Sequence, residues 1–229
     1  LSSNDLNNAT DAQIVNVEAI DASSITSGGI ITLSNQTTSS EGFSITGGIG
    51  GDSITGGSGA DTIIAGLGAD TIIGGAGADS ISAGDDNDTI KEFAGADTVD
   101  GGAGTSDTIV LTANSYDLNT ALDVQIVNVE VIDASSITSG VIITLSNQTT
   151  SSEGFSITGG VGGDSITGGS GADTIIAGLG VDIITGGAGA DSISAGDDSD
   201  TINEFAGADT VDGGAGTSDA IVLTASSND

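Results

Sequence analysis

An aliphatic side chain recurs every nine residues, at Ile54, Ile63, Ile72, Ile81, Ile90 and Val99, and its neighbours, such as Ser53 and Thr62, are small and polar. Alternation with a period of two is the mark of a strand with one face buried, so each aliphatic residue points inward and its neighbours outward. A nine-residue unit leaves room for a strand of about three residues and a turn. The stretches 11–46 and 123–158 are poorer in glycine and carry alternating runs such as Val15-Asn16-Val17-Glu18-Ala19 and Ile31-Thr32-Leu33, bounded by Ser, Thr, Asn and Gly. These runs also predict strands joined by polar turns. No stretch has helical periodicity, so the expected class is all-β.

The turns carry the chemistry. Asp52, Asp61, Asp70, Asp79, Asp88 and Asp97 stand nine residues apart, as do Asp164, Asp173, Asp182, Asp191, Asp200 and Asp209, and each lies two places before the inward aliphatic residue. Glycine pairs and a further glycine precede the aspartate, as in Gly56-Gly57-Ser58-Gly59-Ala60-Asp61. Glycine permits positive φ and close backbone approach, which lets carbonyl oxygens turn toward one point, and the aspartate adds a hard anionic oxygen. Calcium takes about six to eight oxygens in flexible geometry, which carbonyls and carboxylates supply. Zinc or copper calls for His or Cys, and the chain has neither. The candidate ligands of the first run are the six aspartates, Asp107, and Gly48, Gly50, Gly57, Gly59, Gly66, Gly68, Gly75 and Gly77. In the second run they are its six aspartates, Asp219, and Gly160, Gly162, Gly169, Gly171, Gly178, Gly180, Gly187 and Gly189.

A longer period overlies the nonapeptide. Residues 11–112 reappear at 123–224 with only 10 of the 102 positions changed, so the chain is a tandem duplication of 112-residue units. The expected division is a strand-rich spacer over 1–46, a nonapeptide block over 47–110, a second spacer over 111–158, a second block over 159–222, and the start of a further spacer over 223–229. This pattern suits a window from a longer array, or a subunit whose tail continues into another subunit's head. No capping segment is evident at Leu1 or Asp229, and the open ends of a stack of strands invite self-association, head-to-tail or lateral.

Composition narrows the partners. Thirty-three acidic residues face one cation, Lys91, for a formal charge of −32 over 229 residues, which excludes electrostatic affinity for nucleic acid or anionic lipid. Five aromatic residues cannot build a conventional core, whereas regularly spaced Ile and Val suit a stacked one. Without Cys there is no disulfide framework. No apolar run is long enough to span a bilayer and no signal peptide is visible, so membrane insertion is not expected. A Ser/His/Asp or Cys/His catalytic set is impossible without His and Cys, and every adjacent carboxylate pair lies inside a repeat, so no enzyme is expected. A flexible-linker reading fails to explain Asp and Ile held in phase, and an ice-binding reading fails because the outward triplets vary, from Ser53-Ile54-Thr55 to Thr89-Ile90-Lys91, so that no flat repeated array emerges. Asn35-Gln36-Thr37 fits a glycosylation acceptor, and its turn-like setting explains it equally well.

On the motif G-G-x-G-x-D-x-(Ile/Val)-x, six times in register and duplicated, the chain resembles the RTX (repeats-in-toxin) calcium-binding nonapeptide family. The nonapeptides cover 128 of the 229 residues. The resemblance implies a parallel β-roll, or β-solenoid, with two nonapeptides per turn. Asp52, Asp70 and Asp88 would then line one edge and Asp61, Asp79 and Asp97 the other, with roughly four or five calcium ions per block. It also implies type I secretion and folding on extracellular calcium, as a non-enzymatic structural module of a bacterial surface: an S-layer, filament or adhesin extender. The alternative is the secretion and folding module of a larger extracellular enzyme or toxin. Three departures from the motif stand out. Asp85 and Asp86 interrupt the loop ending at Asp88, either as extra ligands or, preferably, as solvated turn carboxylates. Glu92-Phe93 replaces a glycine pair, and Thr105-Ser106 adds a residue before Asp107. The regular stack is expected to weaken there, with Phe93 covering apolar surface.

Overall fold

The computed structural model describes residues 4–205 and 208–223; of the spacer start expected over 223–229, residues 224–229 lie outside the described residues. The chain is an all-β parallel solenoid that divides into two compact units, Leu1–Val110 with Val124–Val129, and Leu111–Asp123 with Glu130–Asp229. In the first unit, strands Ala19–Asp21, Ser44–Thr46, Thr62–Leu67, Ser80–Asp85, Thr98–Ala103 and Ile126–Val127 form one sheet. Strands Ile30–Thr32, Ser53–Thr55, Thr71–Ile73, Thr89–Lys91 and Thr108–Val110 lie side by side in a second. In the second unit, the order Val131–Asp133, Ser156–Thr158, Thr174–Leu179, Ser192–Asp197, Thr210–Asp212 forms one set. Ile142–Thr144, Ser165–Thr167, Ile183–Thr185, Thr201–Asn203 and Ala220–Val222 form the other.

Successive strands in the chain thus alternate between two sheets, and each pairs with the strand two places on. The register sets like on like: Ile45 opposite Ile63, Ile63 opposite Ile81, Ile81 opposite Val99. On the other sheet Ile31, Ile54, Ile72, Ile90 and Ile109 align in the same way. All of these are buried, while Ser53 and Thr62 face solvent as the alternation predicts. Each buried isoleucine contributes roughly 1.5–3 kcal/mol, so the thin core is a ladder of small equal terms instead of one large cluster. The spacer strands Ala19–Asp21 and Ile30–Thr32 join the same two sheets as the nonapeptide strands.

The spacers depart from expectation in three ways. Val15-Asn16-Val17 is not a strand: Asn16 has φ 54°, Val15 and Val17 are exposed, and the strand begins only at Ala19. In the copy a two-residue strand, Ile126–Val127, is broken by Asn128 at φ 51°. Second, two single-turn helices occur among the described residues, Asn4–Asn7 and Tyr116–Thr120. Four or five residues are too few to display a 3.6-residue period, and the available signal was Ser115, whose hydroxyl caps the second helix by accepting from the Leu118 N–H at 3.0 Å.

Third, these helices serve as edge caps. The Asn119 side chain accepts from the Thr144 N–H at 2.8 Å and donates to the Ile142 carbonyl at 3.0 Å. Asn114 accepts from the Ile142 N–H at 2.6 Å. In the first unit Asn7 accepts from the Thr32 N–H and donates to the Ile30 carbonyl, so a cap stands where none was evident in the sequence. A side-chain amide has one donor and one acceptor in the arrangement of a peptide, and it satisfies the edge strand as a neighbouring strand would. Asn119→Ala is expected to destabilise its unit by roughly 1–3 kcal/mol, the loss of two hydrogen bonds. Urea unfolding in excess calcium measures this, and an unchanged midpoint would remove the cap from the account.

Candidate metal sites

The solenoid converts the nine-residue period into two files of carboxylates on each unit. On one edge of the first unit the N–H of Asp52 donates to Oδ1 of Asp70 at 2.6 Å, that of Asp70 to Asp88 at 2.7 Å, and that of Asp88 to Asp107 at 2.7 Å. On the other edge Asp61 donates to Asp79 and Asp79 to Asp97. The second unit repeats both files, Asp164 to Asp182 to Asp200 to Asp219, and Asp173 to Asp191 to Asp209. The alternation between edges that the family resemblance implied is therefore present. All these aspartates are buried except Asp219, which is exposed although its copy Asp107 is fully buried.

The two oxygens of each carboxylate have different fates. In the first loop on each edge the second oxygen accepts from a glycine four residues earlier, Gly48 for Asp52, Gly57 for Asp61, Gly160 for Asp164 and Gly169 for Asp173. In the interior loops that bond is missing: Oδ2 of Asp70, Asp79, Asp88, Asp182, Asp191 and Asp200 is buried with no hydrogen-bond partner. The backbone explains the change. Gly66 has φ +120° and Gly75 φ +106°, in the region closed to L side chains, and with the peptide so turned the local N–H no longer meets the aspartate. A Cβ at Gly66 would also collide with the Gly48 carbonyl oxygen. Gly68, Gly77, Gly178, Gly180, Gly187 and Gly189 likewise have positive φ. Gly48, Gly50, Gly57, Gly59, Gly160, Gly162, Gly169 and Gly171 do not; what demands glycine there is contact with the turn beneath.

A buried anionic oxygen without a donor is costly, and this chain has almost nothing to neutralise it, since Lys91 is its single basic side chain. The cost appears in the acidities. Burial pushes Asp70 up to about 6, opposed by the Asp52 N–H and reinforced by the charges of Asp52 and Asp86. Burial pushes Asp88 up to about 7, opposed by the Asp70 N–H and reinforced by Asp70, Asp107 and Asp86. Asp173 and Asp182 rise to about 6, and Asp61, Asp79 and Asp191 also rise, in every case chiefly through burial. Either a proton or a metal cation relieves such groups. The donor set is oxygen throughout, which fits calcium. No three acidic side chains converge on one point among the described residues, so backbone oxygens must complete any shell. The Gly48 and Gly57 carbonyls already accept from Leu67 and Ala76, which leaves each one lone pair.

The irregular loops are absorbed without weakening the stack, contrary to expectation. Pairing continues in register from Thr89–Lys91 to Thr108–Val110, and the aspartate file steps 19 residues instead of 18 at Asp107, so the added residue is taken up in the loop. Asp85 and Asp86 are exposed, Asp86 at φ 75°, as solvated turn carboxylates would be. Phe93 is buried, as expected.

Comparison with known families agrees with this geometry. The family model described as RTX calcium-binding nonapeptide repeat, four copies, matches residues 44–72, 65–91, 73–107, 156–184, 177–203 and 185–218. No curated protein and no solved structure matches the chain. Among the described residues no helix is long and apolar enough to cross a membrane.

Proposed function

Because the chain belongs to the RTX calcium-binding nonapeptide repeat family, we propose that it is a calcium-dependent structural module of a secreted or surface-exposed bacterial protein, an S-layer, filament or adhesin extender that folds on meeting extracellular calcium. The observation that carries this reading is the row of buried, donorless Oδ2 atoms on Asp70, Asp79 and Asp88 and on Asp182, Asp191 and Asp200. Residues 47–110 and 159–222 are the calcium-binding blocks and 1–46 and 111–158 the spacers that cap and space them. The aspartates of each file supply the carboxylates, and the loop glycines supply carbonyls and the close approach of turn on turn. Self-association, head-to-tail or lateral, would suit a lattice or filament role.

The mechanism follows from charge. Neighbouring strands stand roughly 4.8 Å apart, so each file stacks carboxylates at about that spacing. At such separations like charges in a poorly solvated setting repel by several kcal/mol, which a ladder of small aliphatic contacts does not offset once chain entropy is counted. Calcium bound in the loops supplies the missing folding free energy. Affinities of roughly 10⁻⁴ to 10⁻³ M, usual for extracellular modules, would leave the chain unfolded in the cytosol and folded outside. That difference suits export of an extended chain by type I secretion.

A calcium titration of chelated protein, followed by far-ultraviolet circular dichroism, tests the reading. The expected result is a cooperative gain of β structure between the micromolar and millimolar ranges. Equal β content in excess chelator and in excess calcium at neutral pH would sink it.

A further inference from the structure

One segment of the repeat occurs twice in the chain, once paired and once unpaired. In the first unit Ile126–Val127 adds to the outer side of Thr98–Ala103, with Ile126 opposite Val99 and Val127 opposite Asp100. The Val99 N–H donates to the Gln125 carbonyl at 2.8 Å. Side chains fix the register: Gln125 Nε2 donates to the Asp97 carbonyl at 3.3 Å, and Asn128 Nδ2 to Oδ1 of Asp100 at 2.8 Å. The 112-residue repeat places the same residues toward both ends of the chain. Gln13, Ile14, Val15, Asn16 and Val17 repeat residues 125–129, and Asp209, Val211 and Asp212 repeat Asp97, Val99 and Asp100.

Both of these surfaces are open. Among the described residues no strand lies on the outer side of Thr210–Asp212, and a pocket lined by Ile202, Val211, Asp212, Asp219 and Ile221 opens there. Ile221 is 50% exposed where its copy Ile109 is fully buried. In the first unit Ile14, Asn16 and Val17 border a second pocket, and Val17 is 45% exposed where its copy Val129 is 6% exposed. The segment already has the paired shape, since Asn16 at φ 54° matches Asn128 at φ 51°. A strand presented in its bound conformation loses little freedom on docking. The neighbouring edge strand, Ile30–Thr32, is not available, because Asn7 already bonds it. Residues 12–17 carry no charge in a chain with 33 acidic residues, so the segment itself brings no like charge opposite Asp209 and Asp212.

We propose that the folded chain joins head to tail with a second copy of itself, residues 13–17 of one molecule adding as a parallel strand to Thr210–Asp212 of the next. The Val211 N–H then donates to the Gln13 carbonyl, Gln13 Nε2 to the Asp209 carbonyl and Asn16 Nδ2 to the Asp212 carboxylate, as their copies do within the first unit. Addition of a strand to an exposed sheet edge takes its affinity from such main-chain bonds and its register from the side chains. The contact joins two different surfaces, so each added copy leaves one head and one tail open, and the assembly grows beyond a dimer. The inference deepens the structural reading above and rests on it: both surfaces belong to the folded chain, and calcium is what folds it.

Sedimentation velocity of the full chain, in excess calcium and at rising protein concentration, tests the contact. The expected result is a sedimentation coefficient that climbs past that of a dimer. Val17→Asp changes an exposed head residue and is expected to raise the concentration needed by roughly tenfold or more, because docking would bury its charge. The register is read by cross-linking, since the chain has no Cys of its own. Val15 and Asp212 are exposed and correspond to the opposed pair Val127 and Asp100. A mixture of Val15→Cys and Asp212→Cys proteins is therefore expected to form mixed disulfide dimers roughly tenfold faster than either protein forms its own. A chain that stays unfolded in calcium by circular dichroism overturns the calcium reading and this inference with it. A chain that folds in calcium but remains monomeric, or whose Cys variants show no preference for the mixed dimer, overturns the head-to-tail contact alone. Oligomers that form equally well with Val17→Asp use another surface and likewise overturn it.

Discussion

Asp70→Ala is expected to raise the calcium concentration needed to fold the first unit by about tenfold, while Asp21→Ala leaves it nearly unchanged. Asp70 lies inside a file: its Oδ1 holds the Asp52 N–H at 2.6 Å and its Oδ2 is buried without a donor. Losing a charged oxygen in such a place costs on the order of 1.5–3 kcal/mol, or roughly ten- to a hundredfold in affinity for the ion it faces. Asp21 is exposed and its carboxylate accepts from the N–H and the hydroxyl of Ser23, a local turn contact. Asp70→Asn separates charge from shape. It keeps an acceptor for Asp52 and removes a buried charge, so it too raises the calcium midpoint, yet it stabilises the metal-free chain, which Asp70→Ala does not. Equal shifts for Asp70→Ala and Asp21→Ala in a calcium titration would refute the ligand assignment.

The parts of the fold that were legible in the sequence are those the nonapeptide period dictates. Once the RTX resemblance supplies two nonapeptides per turn, Ile45, Ile63, Ile81 and Val99 fall into one column and Asp52, Asp70 and Asp88 into one file. The inward and outward faces follow from the two-residue alternation. What the spacing does not carry is backbone conformation within the loop. The motif is the same at Gly57 and Gly75, but Gly75 takes positive φ and Gly57 does not, because Gly57 rests on Gln36 of a spacer turn while Gly75 rests on another glycine. That difference decides which aspartates keep a local donor and which are left with a bare oxygen.

The spacers were less legible because their structure is set by what they lie against. Val15-Asn16-Val17 has a strand's alternation, but Asn16 adopts a left-handed conformation and both valines stay exposed, so no paired surface rewards the pattern. The single-turn helices serve hydrogen bonding by Asn7 and Asn119 more than apolar burial, and one or two amides leave no period to read. Gln36 and Gln148 look like ordinary polar turn residues, and nothing in the sequence says that both are buried with the amide donating to a backbone carbonyl. In this chain the sequence reports repetition well and single polar contacts poorly.

Acid is expected to do in part what calcium does, with opposite dependence on pH. In the metal-free fold Asp70 titrates at about 6 and Asp88 at about 7, above the ordinary 3.8, because burial disfavours their charge. Asp173 and Asp182 are likewise raised to about 6. A group whose folded value is raised binds more protons in the folded than in the unfolded chain, so its stabilising effect is fully present below the unfolded value near 3.8 and is lost as pH rises through 6 to 7. Metal-free protein should therefore hold more β structure at about pH 5 than at about pH 7.5. With calcium the slope reverses, since the ion displaces those protons and binds better as pH rises, releasing protons to the buffer as it does so. Circular dichroism of protein stripped of metal on a chelating resin, recorded at both pH values, measures the first effect, and calcium midpoints at the same two values measure the second. The Asp70→Asn, Asp88→Asn double variant should flatten both dependences in the first unit. If the metal-free chain gains structure on going from pH 5 to pH 7.5, the buried carboxylates are not what holds the empty solenoid apart, and the charge-driven switch fails with them.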